Sequence, residues 1–124
     1  APDLEGGAVQ VIADVVSRHG MDAVIATNTT IDRDMVAGLK HAEESGGLSG
    51  APLKDKADRT LAALRQALPG DIAMIGVGGI TSGQDAVDKL KLGAELVQFY
   101  TGMVYRGPEL VTECLEAIAA HNKA

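Results

Sequence analysis

Tryptophan is absent from the chain, and Phe99, Tyr100 and Tyr105 are its only aromatic side chains. With so few rings, any core has to be aliphatic, and no platform for stacking nucleic-acid bases exists. A basic surplus is missing too. Eleven Lys and Arg face 17 Asp and Glu, for a net charge of −6, which argues against a nucleic-acid surface. Cys114 is the single cysteine, so there is no intrachain disulfide and no metal or redox spacing, and a reducing compartment is expected. No run approaches roughly eighteen apolar residues, and the opening residues do not read as a signal peptide. They also lack an initiator Met. Ala1-Pro2-Asp3-Leu4 reads as the tail of a strand entering a loop, and a piece of a longer polypeptide is expected.

What is present is 46% hydrophobic composition in 124 residues, the profile of one globular domain. Residues 8–19 carry Val9, Ile12 and Val16 at near-helical spacing, with Gly20 as the stop. His19 falls in the last turn, where a helix-end role outweighs catalysis. Ala23–Ala26 is short and apolar on both faces, as in a strand buried in a parallel sheet. Residues 31–54 are expected to be irregular, and a loop of that length is usually functional or disordered. A helix over 56–68 places Ala57, Leu61, Leu64 and Leu68 on one stripe, and Pro69-Gly70 ends it. A strand over 73–77, a helix over 82–92 with Ala86, Val87 and Leu90 inward, and a strand over 96–99 follow. The final helix starts at Pro108, with Val111, Cys114, Leu115 and Ile118 on its apolar face. Cys114 on that stripe reads as a buried structural thiol. Alternating strands and helices predict βα units around a parallel sheet. Three strands are too few to hide their own edges, so the expected fold is part of a (β/α)8 barrel, about half of one.

Chemistry concentrates at the strand ends. Ile75-Gly76-Val77-Gly78-Gly79-Ile80 is a strand running into two glycines, followed by Thr81-Ser82-Gly83-Gln84-Asp85. Thr81 and Gln84 fit a capping box, and strand, glycine turn and helix N-terminus together suit a phosphate. The strand over 96–99 repeats this grammar at Tyr100-Thr101-Gly102. Consecutive turns of this kind hold phosphate after the last two strands of a (β/α)8 barrel. Thr27-Asn28-Thr29-Thr30 adds four polar residues at another strand end, and Ser49-Gly50 lies in the long loop. The Asn28 carboxamide suits a planar imide or amide edge.

Competing readings are thin. A dinucleotide fingerprint fails because its third glycine would fall at Thr81. No Walker-type loop occurs, and His41-Ala42-Glu43-Glu44-Ser45 lacks the second histidine of a zinc-protease helix. The glycosylation pattern at Asn28-Thr29-Thr30 is a chance match. No carboxylate, histidine or cysteine sits at these strand ends, so the rim binds and orients without an obvious base or nucleophile.

Four stretches in this order resemble class 2, quinone-dependent dihydroorotate dehydrogenase. They are Ala23-Val24-Ile25-Ala26-Thr27-Asn28-Thr29-Thr30, Gly46-Gly47-Leu48-Ser49-Gly50-Ala51-Pro52-Leu53, Ile75-Gly76-Val77-Gly78-Gly79-Ile80 and Leu96-Val97-Gln98-Phe99-Tyr100-Thr101-Gly102. The resemblance spans essentially the whole chain and implies the carboxyl-terminal half of that family's barrel. It implies an FMN-dependent oxidation of dihydroorotate to orotate in pyrimidine biosynthesis, with a quinone as second acceptor. Carried over by position, Thr27, Gly50, Gly79, Tyr100 and Thr101 would hold FMN, the last three around its phosphate, and Asn28 and Thr29 would bind orotate. The family's flavin-contacting lysine, its serine base and its membrane-meeting helices would lie upstream, and Ser49 is not that base. The same resemblance implies a peripheral place on the cytoplasmic side of the inner membrane for the full-length enzyme. This chain alone is expected to be soluble and cytoplasmic, inactive, and prone to associate with itself or with the missing half. The alternatives are another flavin or phosphate-binding barrel enzyme and a non-catalytic half-barrel.

Overall fold

A computed structural model describes all residues, 1–124. Three parallel strands, β1 (Ala23–Ala26), β2 (Ala73–Val77) and β3 (Leu96–Gln98), form one sheet in the order β1-β2-β3. Ala23 to Ala26 pair with Ala73 to Gly76, and Ile75 to Val77 pair with Leu96 to Gln98. Helices α1 (Ala8–Arg18), α2 (Lys54–Ala67), α3 (Gly83–Lys91), α4 (Thr101–Arg106) and α5 (Glu109–Lys123) fill the connections.

Residues 1–4 form no strand. Pro2 has no N–H to offer a ladder, and the segment is instead tied down by the Asp3 side chain. The long connection is also less irregular than expected. It contains 3-10 turns at Asp34–Val36 and Ala51–Leu53 and an antiparallel bridge between Thr30 and Leu48.

The helices cover one face of the sheet. Leu61, Leu64 and Leu68 of α2 and its C-cap pack with Ala13 of α1, Ala26 and Met74 of the strands, and Ile72 and Ala94. The α1 stripe of Val9, Ile12 and Val16 closes this cluster. A second cluster joins Ile80, Ala86, Leu110 and Cys114, with Val97, Phe99 and Ile118 against it. Burial raises the Cys114 thiol pKa, in keeping with an inert structural thiol.

The other face is bare. Because side chains alternate along a strand, Val24 and Ala26 meet the helices whereas Ile25 turns away and stays 60% exposed. Leu96 does the same at 63%. The expectation that Ala23–Ala26 is buried on both faces is therefore corrected: only a closed barrel or another layer would cover Ile25.

Three helix readings also change. The α3 N-cap is Ser82 rather than Thr81, and its oxygen accepts the Asp85 N–H. Asp85 answers by accepting from the Ser82 hydroxyl and the Thr81 N–H, so aspartate fills the role assigned to Gln84. On α5 the buried face runs through Leu110 and Cys114, while Val111 and Leu115 are exposed, because the helix docks on the start of α3 through the side that carries Glu113, Cys114 and Ala117. Finally, Tyr100-Thr101-Gly102 is not a simple turn. Thr101 opens the short helix α4.

A charged network runs under the sheet from α2 to α3. Lys89 is wholly buried, with Nζ 2.6 Å from Asp58 Oδ1. The two opposite charges are in direct contact there. Burial, the largest influence, lowers the Lys89 pKa, and Asp58 partly restores it. Lys54 Nζ lies 2.7 Å from Asp58 and 3.2 Å from Asp88.

Candidate functional site

All seven residues singled out at the strand ends line one cavity of about 180 Å³. Thr27, Asn28 and Thr29 come from the end of β1, Gly50 from the long connection, Gly79 from the end of β2, and Tyr100 and Thr101 from the end of β3. Leu53, Val77, Ile80 and Phe99 add apolar walls. All four lie within the stretches that carry the family resemblance, where no role was assigned to them.

Thr27 follows a cis peptide bond after Ala26. Its N–H donates to Val77 O at 3.0 Å, which ties the ends of β1 and β2 together. Its hydroxyl is buried and has no partner in the protein. A buried hydroxyl without a partner is costly, and this one lines the cavity. Asn28 Oδ1 accepts the Thr29 N–H at 2.7 Å, leaving the Asn28 NH2 free for a ligand. Thr29 faces Gly47 so closely that an added Cβ there would fall 1.8 Å from Thr29 Oγ1.

Thr30 is fully buried and serves the scaffold. Its hydroxyl donates to Asp3, and Lys56 Nζ reaches Asp3 at 2.7 Å and Asp32 at 2.9 Å. The Lys56 and Thr30 hydrogen bonds hold the Asp3 carboxyl down at about 2, against an ordinary 3.8. A depressed carboxylate contributes stability that is fully present above its ordinary pKa and is lost as pH falls toward the folded value. Asp3→Asn should therefore lose stability relative to the parent at neutral pH, and the gap should close between about pH 4 and pH 2. Denaturant titrations of both proteins across that window check it. A gap that stays constant to pH 2 would exclude the ion pair as its source.

The glycine turn after β2 is shaped by packing. Gly79 has φ 77°, and a Cβ on it would lie 2.4 Å from Lys54 Cα. Glycine is thus required on two counts: positive φ, and the approach of the α2 N-terminus. Gly50 sits against Thr101 in the same way, with a virtual Cβ 3.0 Å from Thr101 Cγ2. Ser49 Oγ and Thr101 Oγ1 are 2.8 Å apart, joining the long connection to the end of β3.

The anion site differs from the one expected. The N-terminus of α3 is already occupied by carboxylates: Asp85 takes the Thr81 N–H, and Glu113 of α5 takes the Gly83 N–H at 2.8 Å. That bond is the chief cause that lowers the Glu113 pKa. A phosphate there would meet two negative groups. The main-chain N–H groups of Gly79, Thr101 and Gly102, by contrast, donate to no protein acceptor. They line the cavity from two strand ends, and successive free N–H groups of this kind form an anion-binding concavity. Tyr100 lines the cavity and is at the same time 84% exposed, so it stands at the cavity's rim.

A sequence model of the dihydroorotate dehydrogenase family matches residues 1–121. The chain belongs to that family. It is 58% identical over 120 residues to the quinone-dependent dihydroorotate dehydrogenase of Paracidovorax citrulli, covering 97% of this chain and 33% of that protein. The counterpart from Thiobacillus denitrificans is 57% identical over 119 residues, covering 96% of this chain and 35% of that one. Among solved structures, the dihydroorotate dehydrogenase of Eimeria tenella in complex with ferulenol superposes with a TM-score of 0.88 at 38% identity, over 94% of this chain and 31% of the other. Its ligand-free form gives 0.86 at 40% identity. The chain thus spans about a third of the length of the relatives it matches. The expected half is too large, and three strands are likewise fewer than half of a (β/α)8 barrel.

The donor set fits the phosphate end of a flavin mononucleotide, the cofactor that the family resemblance implies. The orphaned Thr27 hydroxyl and the free N–H groups of Gly79, Thr101 and Gly102 are complementary to a phosphate and polar chain atoms. At about 180 Å³ the cavity is smaller than the roughly 300–1,000 Å³ of a site that swallows a whole ligand. A cavity of this size would accommodate a phosphate end but not a whole flavin.

Proposed function

We propose that this chain serves the FMN-dependent oxidation of dihydroorotate to orotate, with a quinone as electron acceptor, within pyrimidine biosynthesis. The observation that carries the reading is convergence: every residue the family resemblance assigns to flavin or orotate opens into one cavity. Gly79, Tyr100 and Thr101 would hold the FMN phosphate through main-chain N–H groups, Gly50 would pack beside it, and Thr27 would offer its free hydroxyl. Bound there, FMN would supply the hydride acceptor. Asn28 would present its NH2 to the orotate ring and Thr29 its hydroxyl to the carboxylate.

These residues bind and orient. No carboxylate, histidine or cysteine lines the cavity, so the proton removed from substrate would go to a base outside this chain. Placement of this third in the carboxyl-terminal part of the barrel rests on the paired anion turns after consecutive strands, which match the phosphate site after a barrel's last two. The chain's mass compared with the parent reading frame tests that placement. No helix is long and apolar enough to cross a membrane. The peripheral place on the cytoplasmic side of the inner membrane is taken from the family resemblance alone and would belong to residues outside this chain.

Asn28→Ala in the full-length protein tests the substrate assignment. It removes an NH2 from a ligand edge and the acceptor that holds the Thr29 N–H, so orotate binding should weaken by about 1–3 kcal/mol. Bound flavin per chain should stay unchanged. Orotate affinity at the parent level, with flavin lost, would show that this strand end serves the cofactor instead. The lack of a base in the cavity favours one other reading, a non-catalytic flavin- or phosphate-binding unit. Yellow protein that dihydroorotate fails to bleach, even with the upstream part supplied, would support it.

A further inference from the structure

The long connection after β1 is closed by one side chain. Arg33 Nη1 donates to Thr30 O at 3.2 Å and Asp32 O at 3.3 Å. Its Nη2 donates to Glu44 O at 3.2 Å and to Gly46 O. One guanidinium therefore bridges both limbs of the loop, four main-chain carbonyls in all. It pairs with no carboxylate, since the adjacent Asp32 is taken by Lys56. The loop is poorly filled by its own side chains: a cavity of about 240 Å³ lies between its limbs, lined by Arg33, Val36, Leu39, His41 and Gly46 among others. Packing alone is a weak closure for such a loop.

What the closure positions is the end of β1. Thr30 O accepts from Arg33 and also from the Leu48 N–H at 2.8 Å. Holding Gly46 by its carbonyl sets Gly47 against the Thr29 side chain, where not even a Cβ would fit. We infer that Arg33 is a positioning residue for substrate: by clamping the limbs of the loop it fixes the Thr29 hydroxyl, and with it the Asn28 carboxamide, toward the cavity. Arg33 does not line that cavity. Arg33 makes no hydrogen bond to the cofactor end at Gly79 and Thr101, whose tie to the loop is the separate Ser49–Thr101 hydrogen bond beyond the clamped limbs. The inference rests on the assignment of Asn28 and Thr29 to substrate.

The test is Arg33→Ala in the full-length holoenzyme, with bound flavin, orotate affinity and the KM for dihydroorotate measured together. Misplacing an orienting group weakens its ligand steeply. The KM and the orotate dissociation constant should each rise about tenfold or more, with flavin per chain unchanged. Added methylguanidinium should recover part of the loss, which a merely structural defect would not allow. Arg33→Lys keeps the charge without spanning four carbonyls, and it should fall between parent and alanine variant. It carries the same test if the alanine variant is insoluble. Parent-level orotate affinity in Arg33→Ala, or flavin lost in step with substrate, overturns the clamp alone. Parent enzyme that holds flavin but binds no orotate overturns the substrate assignment and the clamp together.

Discussion

Gly79→Val is expected to yield full-length protein without bound flavin. The reason lies in the backbone and in α2. Gly79 sits at φ 77°, which a β-branched residue adopts only under strain, and its first added carbon would meet Lys54 Cα and Cβ at 2.4 Å and Lys54 N at 2.6 Å. These are atoms of a helix start that cannot swing aside, since Lys54 is held by Asp58 and Asp88. The turn must move, and the free Gly79 N–H moves with it. Backbone strain of about 1–3 kcal/mol and overpacking of a further ~1–3 kcal/mol fall on the residues that would grip the phosphate. Because the collision begins at Cβ, Gly79→Ala should already lose most of the flavin. The two variants separate this account from simple filling of the phosphate position, which valine would do far more than alanine. Flavin per chain and the thermal midpoint decide it: stoichiometric flavin of normal affinity in either variant would refute the account.

The 124-residue chain by itself should neither turn over dihydroorotate nor remain a monomer. Its sheet has one face under helices and one bare, with Ile25 and Leu96 more than half exposed. Both edge strands are open, since β1 and β3 pair only with β2. Val104 and Tyr105 add exposed apolar surface beside the site. Open edges and a bare aliphatic face are templates for association. Self-association, or pairing with the remainder of the barrel when that is supplied, is the expected outcome. FMN should bind weakly, because a cavity of about 180 Å³ is too small to enclose a whole flavin. Sedimentation together with a dye-linked turnover assay is decisive. A monodisperse, active monomer would mean that the bare face needs no cover and that a base lies within the chain.

Much of this was legible along the chain because the signals are local. The spacing of Leu61, Leu64 and Leu68 marks a helix face, Ala23–Ala26 and Ala73–Val77 are too short and apolar for helices, and both ran true in the structure. The site residues were legible for a related reason. In parallel βα units the strand ends gather at one rim, so knowing where three strands stop is enough to bring Thr27, Gly79 and Thr101 together. Four motifs in one order then pointed to the dihydroorotate dehydrogenase family, as the match over residues 1–121 bears out.

The tertiary structure decided whatever depended on residues far apart. Both Thr81 and Ser82 are good caps by local rule, and only the docking of α3 on α5, where Glu113 claims the Gly83 N–H thirty residues away, closed that helix end to a phosphate. Gly79 read as room for an anion, whereas its missing Cβ makes room for Lys54. Ile25 read as buried, but burial belongs to the layer on the other side, and the chain carries helices for one face only. Arg33 gave no signal at all, because its four acceptors are main-chain carbonyls that exist in every sequence. Periodicity reports which side of an element is apolar. What that side meets, and which donors are left free beside it, is set by contacts between segments that no local pattern encodes.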